Sequence, residues 1–387
     1  VTAPPGALAQ LADELARGAR ERRAPLVELL LSLASLDAPS GAGADAMAPA
    51  AEQLARELAA LGGELTRTPG PQGELLELEL GPAEGPLVLL LGHYDTVWPA
   101  GTAARRPARA QAGEITGPGV FDMRGGIAAA LTALELLGAE RLAARTVLLL
   151  TPDEETGSAT SQRRIVELGR QARCVFVLEP SLPGARLKTA RSGWATYRLE
   201  VRGRGAHAGL EPERGVSAID ELCDALLRLR ALADPPAGTT LNAGVIGGGT
   251  LPNIVAAEAH ALIDLRVRTA AEQQRVDRAL AALEPIRAGA KLVAERVHVR
   301  PAMERTPAIA AAFEHARSAA GLLGVELGEG SAGGTSDANL LVHLGVPVLD
   351  GLGPDGAGAH AEDERVDVES LVERAALIAL LLADPPR

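Results

Sequence analysis

Three short runs of nearly uninterrupted apolar residues, at 87–91, 146–151 ("TVLLLT") and 174–178, constrain this chain more than any other feature. A strand that is apolar at every position has no face to offer water, so it must lie in a sheet covered on both sides. Helix-period segments occupy the intervals: 125–137 and 161–168 between and after these runs, and 8–36 and 46–61 ahead of them. A further strand is expected at 75–80. Buried strands alternating with helices predict an α/β fold built on a mainly parallel sheet.

The pattern changes after Pro183. "GWATYRLEVRG" alternates, with Ala195, Tyr197, Leu199 and Val201 on one face and Thr196, Arg198, Glu200 and Arg202 on the other. "NIVAAEAHALIDLRVR" alternates over a longer span, two amphipathic helices lie between and after, and a last strand is expected at 291–299. Half-exposed strands in the order strand, helix, strand, strand, helix, strand form the split β-α-β unit. The buried style returns after Pro301, so residues 1–185 and 301–387 are expected to form one α/β domain, interrupted by a ferredoxin-like α+β domain at 186–300. A length of 387 residues suits such a division.

A net charge of −12 argues against nucleic acid or an anionic membrane as partner, because both need a basic face. The apolar run at 375–383 is far short of the roughly 20 residues a membrane span requires. Cys174 and Cys223 sit in apolar and helical patterns without a CxxC pair, which argues against a thiolate metal site or redox motif. The N-terminus shows no basic head followed by an apolar stretch, so a cytoplasmic location is expected, or a periplasmic or secreted one if an export signal has been removed.

Functional groups of a parallel sheet gather beyond the carboxyl ends of its strands. His93 and Asp95 follow the first apolar run, in "GHYDTVWPAGT", two residues apart and therefore on one strand face. Asp95 reads there either as a turn-fixing carboxylate or as the orienting partner of a ligating imidazole. Asp153, Glu154 and Glu155 follow "TVLLLT", Glu179 follows "CVFVL", and His360 comes shortly after "VPVLDGL". Asp122 lies in a glycine-rich turn before a helix, in "GPGVFDMRGG". Alone, each is ordinary. Together the carboxylates would repel and raise one another's pKa, a cost that one or two divalent cations relieve. Nitrogen and oxygen ligands without thiolate suit zinc, and also cobalt or manganese.

The motifs "GHYDTVWPAGT", "GPGVFDMRGGIAA", "TPDEETGS", "LEPS", "RGRGAHAG", "LPNIVAAEA" with "DLRVR", and "GGTSDAN" resemble, in order, those of the M20 metallopeptidase family, which includes glutamate carboxypeptidases, acetylornithine deacetylases and succinyl-diaminopimelate desuccinylases. The resemblance spans residues 87–367. It implies a catalytic domain interrupted by a lid that makes a homodimer, and two zinc ions bridged by Asp122. One ion would be held by His93 and Glu179, the other by Glu155 and His360. Glu154 would be the general base and Asp95 the partner of His93, while His207 would reach across the dimer to steady an oxyanion. The family also implies a cis peptide after Asp122. Met123 and Arg124 depart from the residues commonest among glutamate carboxypeptidases, and Met at this position is common among the deacylases.

The same resemblance places substrate-binding roles on Arg266, Arg300, Asn253 and Ser336. Two arginines suit a substrate carboxylate, since a guanidinium grips it bidentately. The expected activity is hydrolysis of an amide in a small peptide or N-acyl amino acid, releasing a C-terminal amino acid with glutamate or a similar residue favoured. An N-acyl amino acid deacylase is the same-fold alternative. A non-catalytic binding protein of this fold is opposed by the complete ligand set. His260 falls on the polar face of its strand, and His298, His315 and His343 lie in patterns without ligand neighbours.

Overall fold

The structure is a computed structural model that describes residues 5–386. The chain divides into two compact units: one runs through Thr189 and resumes at Arg305–Ala332 and Ser336–Arg387, and the other comprises Ala190–Glu304 with Gly333–Thr335.

The first unit is built on an eight-stranded sheet with spatial order Glu64–Gly70, Gly73–Leu80, Arg145–Thr151, Leu87–His93, Ala172–Val177, Val348–Asp350, Leu187–Arg191 and Glu329–Ala332. Its centre is parallel: Leu87–His93 pairs with both Arg145–Thr151 and Ala172–Val177, and Val348–Asp350 extends the run. All of Leu87–His93 is buried, as a strand apolar on both faces requires. The first hairpin and Leu187–Arg191 join in antiparallel pairings, so the sheet is mixed with a parallel core.

Helix Gly125–Leu137 is buried around nearly its whole circumference. Its composition, small residues and leucines with one charge, leaves no wet face. It packs against Val368–Ala383, Pro5–Glu21 and Arg23–Ala34, while Gln162–Gly169 packs on the strands Leu87–His93 and Ala172–Val177. The helical spacing over 8–36 is realised as two helices, Pro5–Glu21 and Arg23–Ala34. Pro25 explains the break, since it has no N–H to give the carbonyl four residues earlier.

The second unit is a four-stranded antiparallel sheet in the order Thr240–Gly248, Glu258–Val267, Gly193–Arg202, Lys291–Arg300. Helices Ala218–Arg230 and Ala270–Ala281 pack on the strand face that carries Ala195, Tyr197, Leu199 and Val201, and these residues form a core of their own. Residues 253–257, expected as the start of a strand, instead form a turn and an irregular stretch, and the strand begins at Glu258. The Pro252–Asn253 pair favours a turn at that point. Strand Thr240–Gly248 is an edge with Val245 and Ile246 exposed. Among the described residues, no helix is long and apolar enough to cross a membrane.

Candidate metal centre

His93 ends its strand opposite Thr151, so the loops after both strands leave the sheet at the same edge. The loop after Thr151 carries Asp153, Glu154 and Glu155, and Glu179 follows the neighbouring strand Ala172–Val177. Asp122 arrives from a short irregular turn, Val120–Arg124, and its peptide bond to Met123 is cis. The helix that follows sits very close to the sheet. A Cβ on Gly126 would lie 1.8 Å from the carbonyl oxygen of Leu178, so only glycine permits that approach.

Two triads of potential ligands share Asp122: His93, Asp122 and Glu179, and Asp122, Glu155 and His360. His93 Nε2 lies 3.3 Å from Asp122 Oδ1 and 3.7 Å from Glu179 Oε1. His360 Nε2 lies 3.4 Å from Asp122 Oδ2 and 3.1 Å from Glu155 Oε1. Each oxygen of Asp122 therefore faces a different imidazole. A tetrahedral zinc with ligands at about 2.0–2.1 Å has ligand–ligand edges of about 3.3 Å, and these separations bracket that value. The donors are imidazole nitrogen and carboxylate oxygen, a set suited to zinc, cobalt or manganese. By spacing and donor type, the residues present fit a pair of divalent ions.

Charge balance points the same way. Burial works against protonating His93, yet Asp122 and Asp95 outweigh it and hold the imidazole well above its ordinary 6.5. Asp122, with Glu155 second, lifts His360 to about 10 despite partial burial. Burial would raise Asp122, but His360 and then His93 pull it far below the usual carboxylate range. Each imidazole thus faces a surplus of negative charge, the setting that a bound cation would balance.

Asp95 organises the surroundings. His93 Nδ1 is 3.1 Å from the Asp95 carbonyl oxygen and 3.3 Å from its Oδ1. The backbone N–H of Glu154 donates to Asp95 Oδ1 at 3.2 Å, that of Glu155 donates to Oδ2 at 3.1 Å, and Ser40 Oγ donates to Oδ2 at 2.8 Å. Asp95 is wholly buried, so these donors replace its hydration. Glu154 is partly exposed and belongs to neither triad. Asp153 acts on the loop instead. Its Oδ2 accepts the backbone N–H and hydroxyl of Thr160, which closes the loop bearing the two glutamates.

Further side chains stand around the ligands. Met123 Sδ accepts the backbone N–H of His93 at 3.3 Å, giving this residue a specific contact. Lys188 is buried with Nζ 3.6 Å from Glu179 Oε2, while Oε1 is the oxygen nearest His93. Arg124 is buried and donates to the Leu33 carbonyl, and burial lowers its pKa to about 10. Glu364 is buried and accepts four N–H groups, three from the Asp122 turn and one from Trp98. Burial raises its pKa while those donors oppose the rise. Of Lys188 and Glu364, which the sequence does not single out, only Glu364 lies near a candidate ligand, as a carboxylate four residues after His360.

Ser336 is wholly buried, caps the short helix Asp337–Leu340, and donates to Asp350 Oδ2 at 3.1 Å. In the second unit, the Asn253 carbonyl accepts the N–H of Ala208, which places Asn253 beside His207, and both are exposed. Arg266 forms a two-bond pair with Asp264 at 2.9 and 3.1 Å and lies over the Trp194 ring at 5.6 Å. Arg300 is buried at the end of its strand, opposite Trp194. His298 stacks on Trp194, and His315 Nε2 lies 2.6 Å from the Asp384 carbonyl oxygen.

A model of peptidase family M20/M25/M40 matches residues 89–384. Carboxypeptidase G2 from Pseudomonas sp. (strain RS-16) is 32% identical over 98% of this chain and 94% of its own length. A succinyl-diaminopimelate desuccinylase from Xanthomonas oryzae pv. oryzae (strain PXO99A) is 30% identical over 77% of this chain and 83% of its own. In fold, the chain resembles the crystal structure of aminopeptidase PepT from Bacillus cereus ATCC 10987, with a TM-score of 0.73, 22% identity, and coverage of 93% of this chain and 98% of that one.

Proposed function

Because the chain belongs to peptidase family M20/M25/M40, a family of hydrolases, we propose that it is a two-zinc amide hydrolase that releases a C-terminal amino acid, with glutamate or a similar acidic residue favoured. The observation that carries this reading is the pair of ligand triads hinged on Asp122, one oxygen toward His93 and the other toward His360. Cobalt or manganese would suit the same donors.

Bound there, two divalent ions supply Lewis acidity, lowering the pKa of water and polarising a carbonyl. The chain's own residues do the rest. His93, Asp122, Glu155, Glu179 and His360 hold the ions. Asp95, facing His93 Nδ1, fixes the tautomer that leaves Nε2 free to ligate. Glu154, anchored by its backbone to Asp95 but outside both triads, takes the proton from the attacking water and returns it to the leaving nitrogen.

Recognition is assigned to residues of the second unit. His207 donates to the oxyanion, and Asn253 beside it hydrogen-bonds the substrate. Arg300 and Arg266 receive the substrate carboxylates. Arg266 is already paired with Asp264, so a substrate carboxylate competes with that pair. His207 acts from a second copy of the chain. The exposed edge strand with Val245 and Ile246, and Leu251 and Ile254 nearby, supports a homodimer made through this unit.

The identity to the desuccinylase and the methionine at 123 favour a second reading, an N-acyl amino acid deacylase. Hydrolysis rates on N-acyl-glutamate, N-acyl-leucine, N-acetylornithine and N-succinyl-diaminopimelate separate the two. Fastest turnover of N-acetylornithine or N-succinyl-diaminopimelate overturns the carboxypeptidase reading. Zinc content close to one equivalent in active enzyme overturns the two-ion centre.

A further inference from the structure

The geometry points to Glu364 as a positioning residue that sets Asp122 against His360, and so governs the affinity of the triad those two share with Glu155. The inference rests on the two-ion reading above.

Glu364 Oε1 accepts the backbone N–H of Phe121 and of Asp122, each at 3.0 Å. Its Oε2 accepts the N–H of Gly119 at 2.8 Å and Trp98 Nε1 at 3.1 Å. With four donors on two oxygens, the carboxylate grips the whole turn that presents Asp122. The grip is continued by the backbone, since the Glu364 carbonyl accepts the N–H of Gly117 and strand Arg365–Asp367 pairs with Glu114–Thr116. The segment that carries His360 is thereby fixed to the segment that carries Asp122.

A third segment is tied in through Trp98. Arg106 lies over the indole at 4.5 Å and donates to the Glu362 carbonyl oxygen, which closes a ring of contacts around Glu364. His93 is held differently. Its orientation comes from Asp95 and its own strand rather than from Glu364. Loss of Glu364 therefore displaces two ligands of one triad and only the shared Asp122 of the other.

The charge and shape of a carboxylate are both required. Glutamine has one acceptor oxygen and would turn an amide N–H₂ toward N–H donors, so the turn must shift to relieve the opposition. Partners of this kind typically control metal affinity by about 10–100-fold.

The test is zinc titration of the full-length protein against a competing chelator, with thermal melting in parallel. Wild-type protein should bind two equivalents; if it binds fewer, the two-ion reading fails whatever the variant does. Glu364→Gln should weaken one equivalent by about 10–100-fold and the other by less. The weakened equivalent should be the one that His360→Ala removes. Equal weakening of both equivalents, or a lowered melting temperature with both affinities unchanged, overturns the assignment and leaves Glu364 a general structural residue. Should Glu364→Gln fail to fold, Trp98→Phe removes one donor only and should give a smaller loss with the same asymmetry; a symmetric loss or none overturns it equally.

Discussion

His93 Nδ1 stands 3.3 Å from Asp95 Oδ1, and that same oxygen accepts the backbone N–H of Glu154. One buried carboxylate thus aims the His93 imidazole and anchors the loop bearing Glu154, the general base proposed above. Asp95→Asn should lower zinc affinity about 10–100-fold and slow turnover with it, because an amide cannot accept from both glutamate N–H groups and orient His93. Zinc titration with steady-state rates checks this; normal affinity in the variant would detach Asp95 from the centre.

Glu154→Gln separates proton transfer from metal holding. The variant should keep two zinc equivalents and its melting temperature while kcat falls by about 10²–10⁴-fold, the usual contribution of a positioned general base. Loss of a zinc equivalent would make Glu154 a ligand instead.

The protonated imidazoles give a pH signature. Both histidines have folded-state pKa values above 6.5, with His360 at about 10. Stability from a raised pKa is complete below the unfolded value and is lost as pH rises through the folded one. Chelator-stripped protein should therefore melt at lower temperature as pH rises from about 6.5 toward about 10. Zinc-loaded protein should not show this fall, since metal binding displaces those protons. A flat or rising melting temperature for the stripped form would contradict the charged-pair arrangement.

Arg300→Ala tests side-chain reading. The variant should lose about 10- to 100-fold in kcat/KM on N-acyl-glutamate, the equivalent of about 1.5–3 kcal/mol for a hydrogen bond to a charged group, and much less on N-acyl-leucine. Equal losses on both substrates would remove Arg300 from that role.

The edge strand tests assembly. Ile246→Asp, at an exposed position, should convert a dimer to a monomer in analytical ultracentrifugation without lowering the melting temperature much. A wild-type monomer with full activity would exclude the cross-subunit role of His207.

Legibility in the sequence followed the range of the interactions. Strand Leu87–His93 was visible because burial on both faces demands a continuous apolar run. His93 and Asp95 could be paired because two-residue spacing fixes a shared face. Three-residue strands such as Arg109–Gln111 and Arg365–Asp367 were invisible, being too short for a period to register. Ser40 and Glu364 were missed for another reason: each acts on a residue 55 or more positions away, Asp95 and Asp122, through contacts that exist only after the chain has closed. Residues 253–257 read as strand because Ile254 and Val255 are β-branched and run straight into the alternation that begins at Glu258.

The division of the chain at Thr189 and Arg305 has a consequence for biosynthesis. A ribosome delivers His93, Asp122, Glu155 and Glu179 before it has made any of the second unit, yet the sheet that carries them lacks Val348–Asp350 and Glu329–Ala332 until near the end of translation. The second unit, contiguous apart from Gly333–Thr335, can collapse as soon as it emerges. The first must wait, with a parallel sheet edge open and its long-range pairings unmade. A nascent chain of this protein is therefore most exposed to chaperones and to self-association while the segment after Arg300 is still being made.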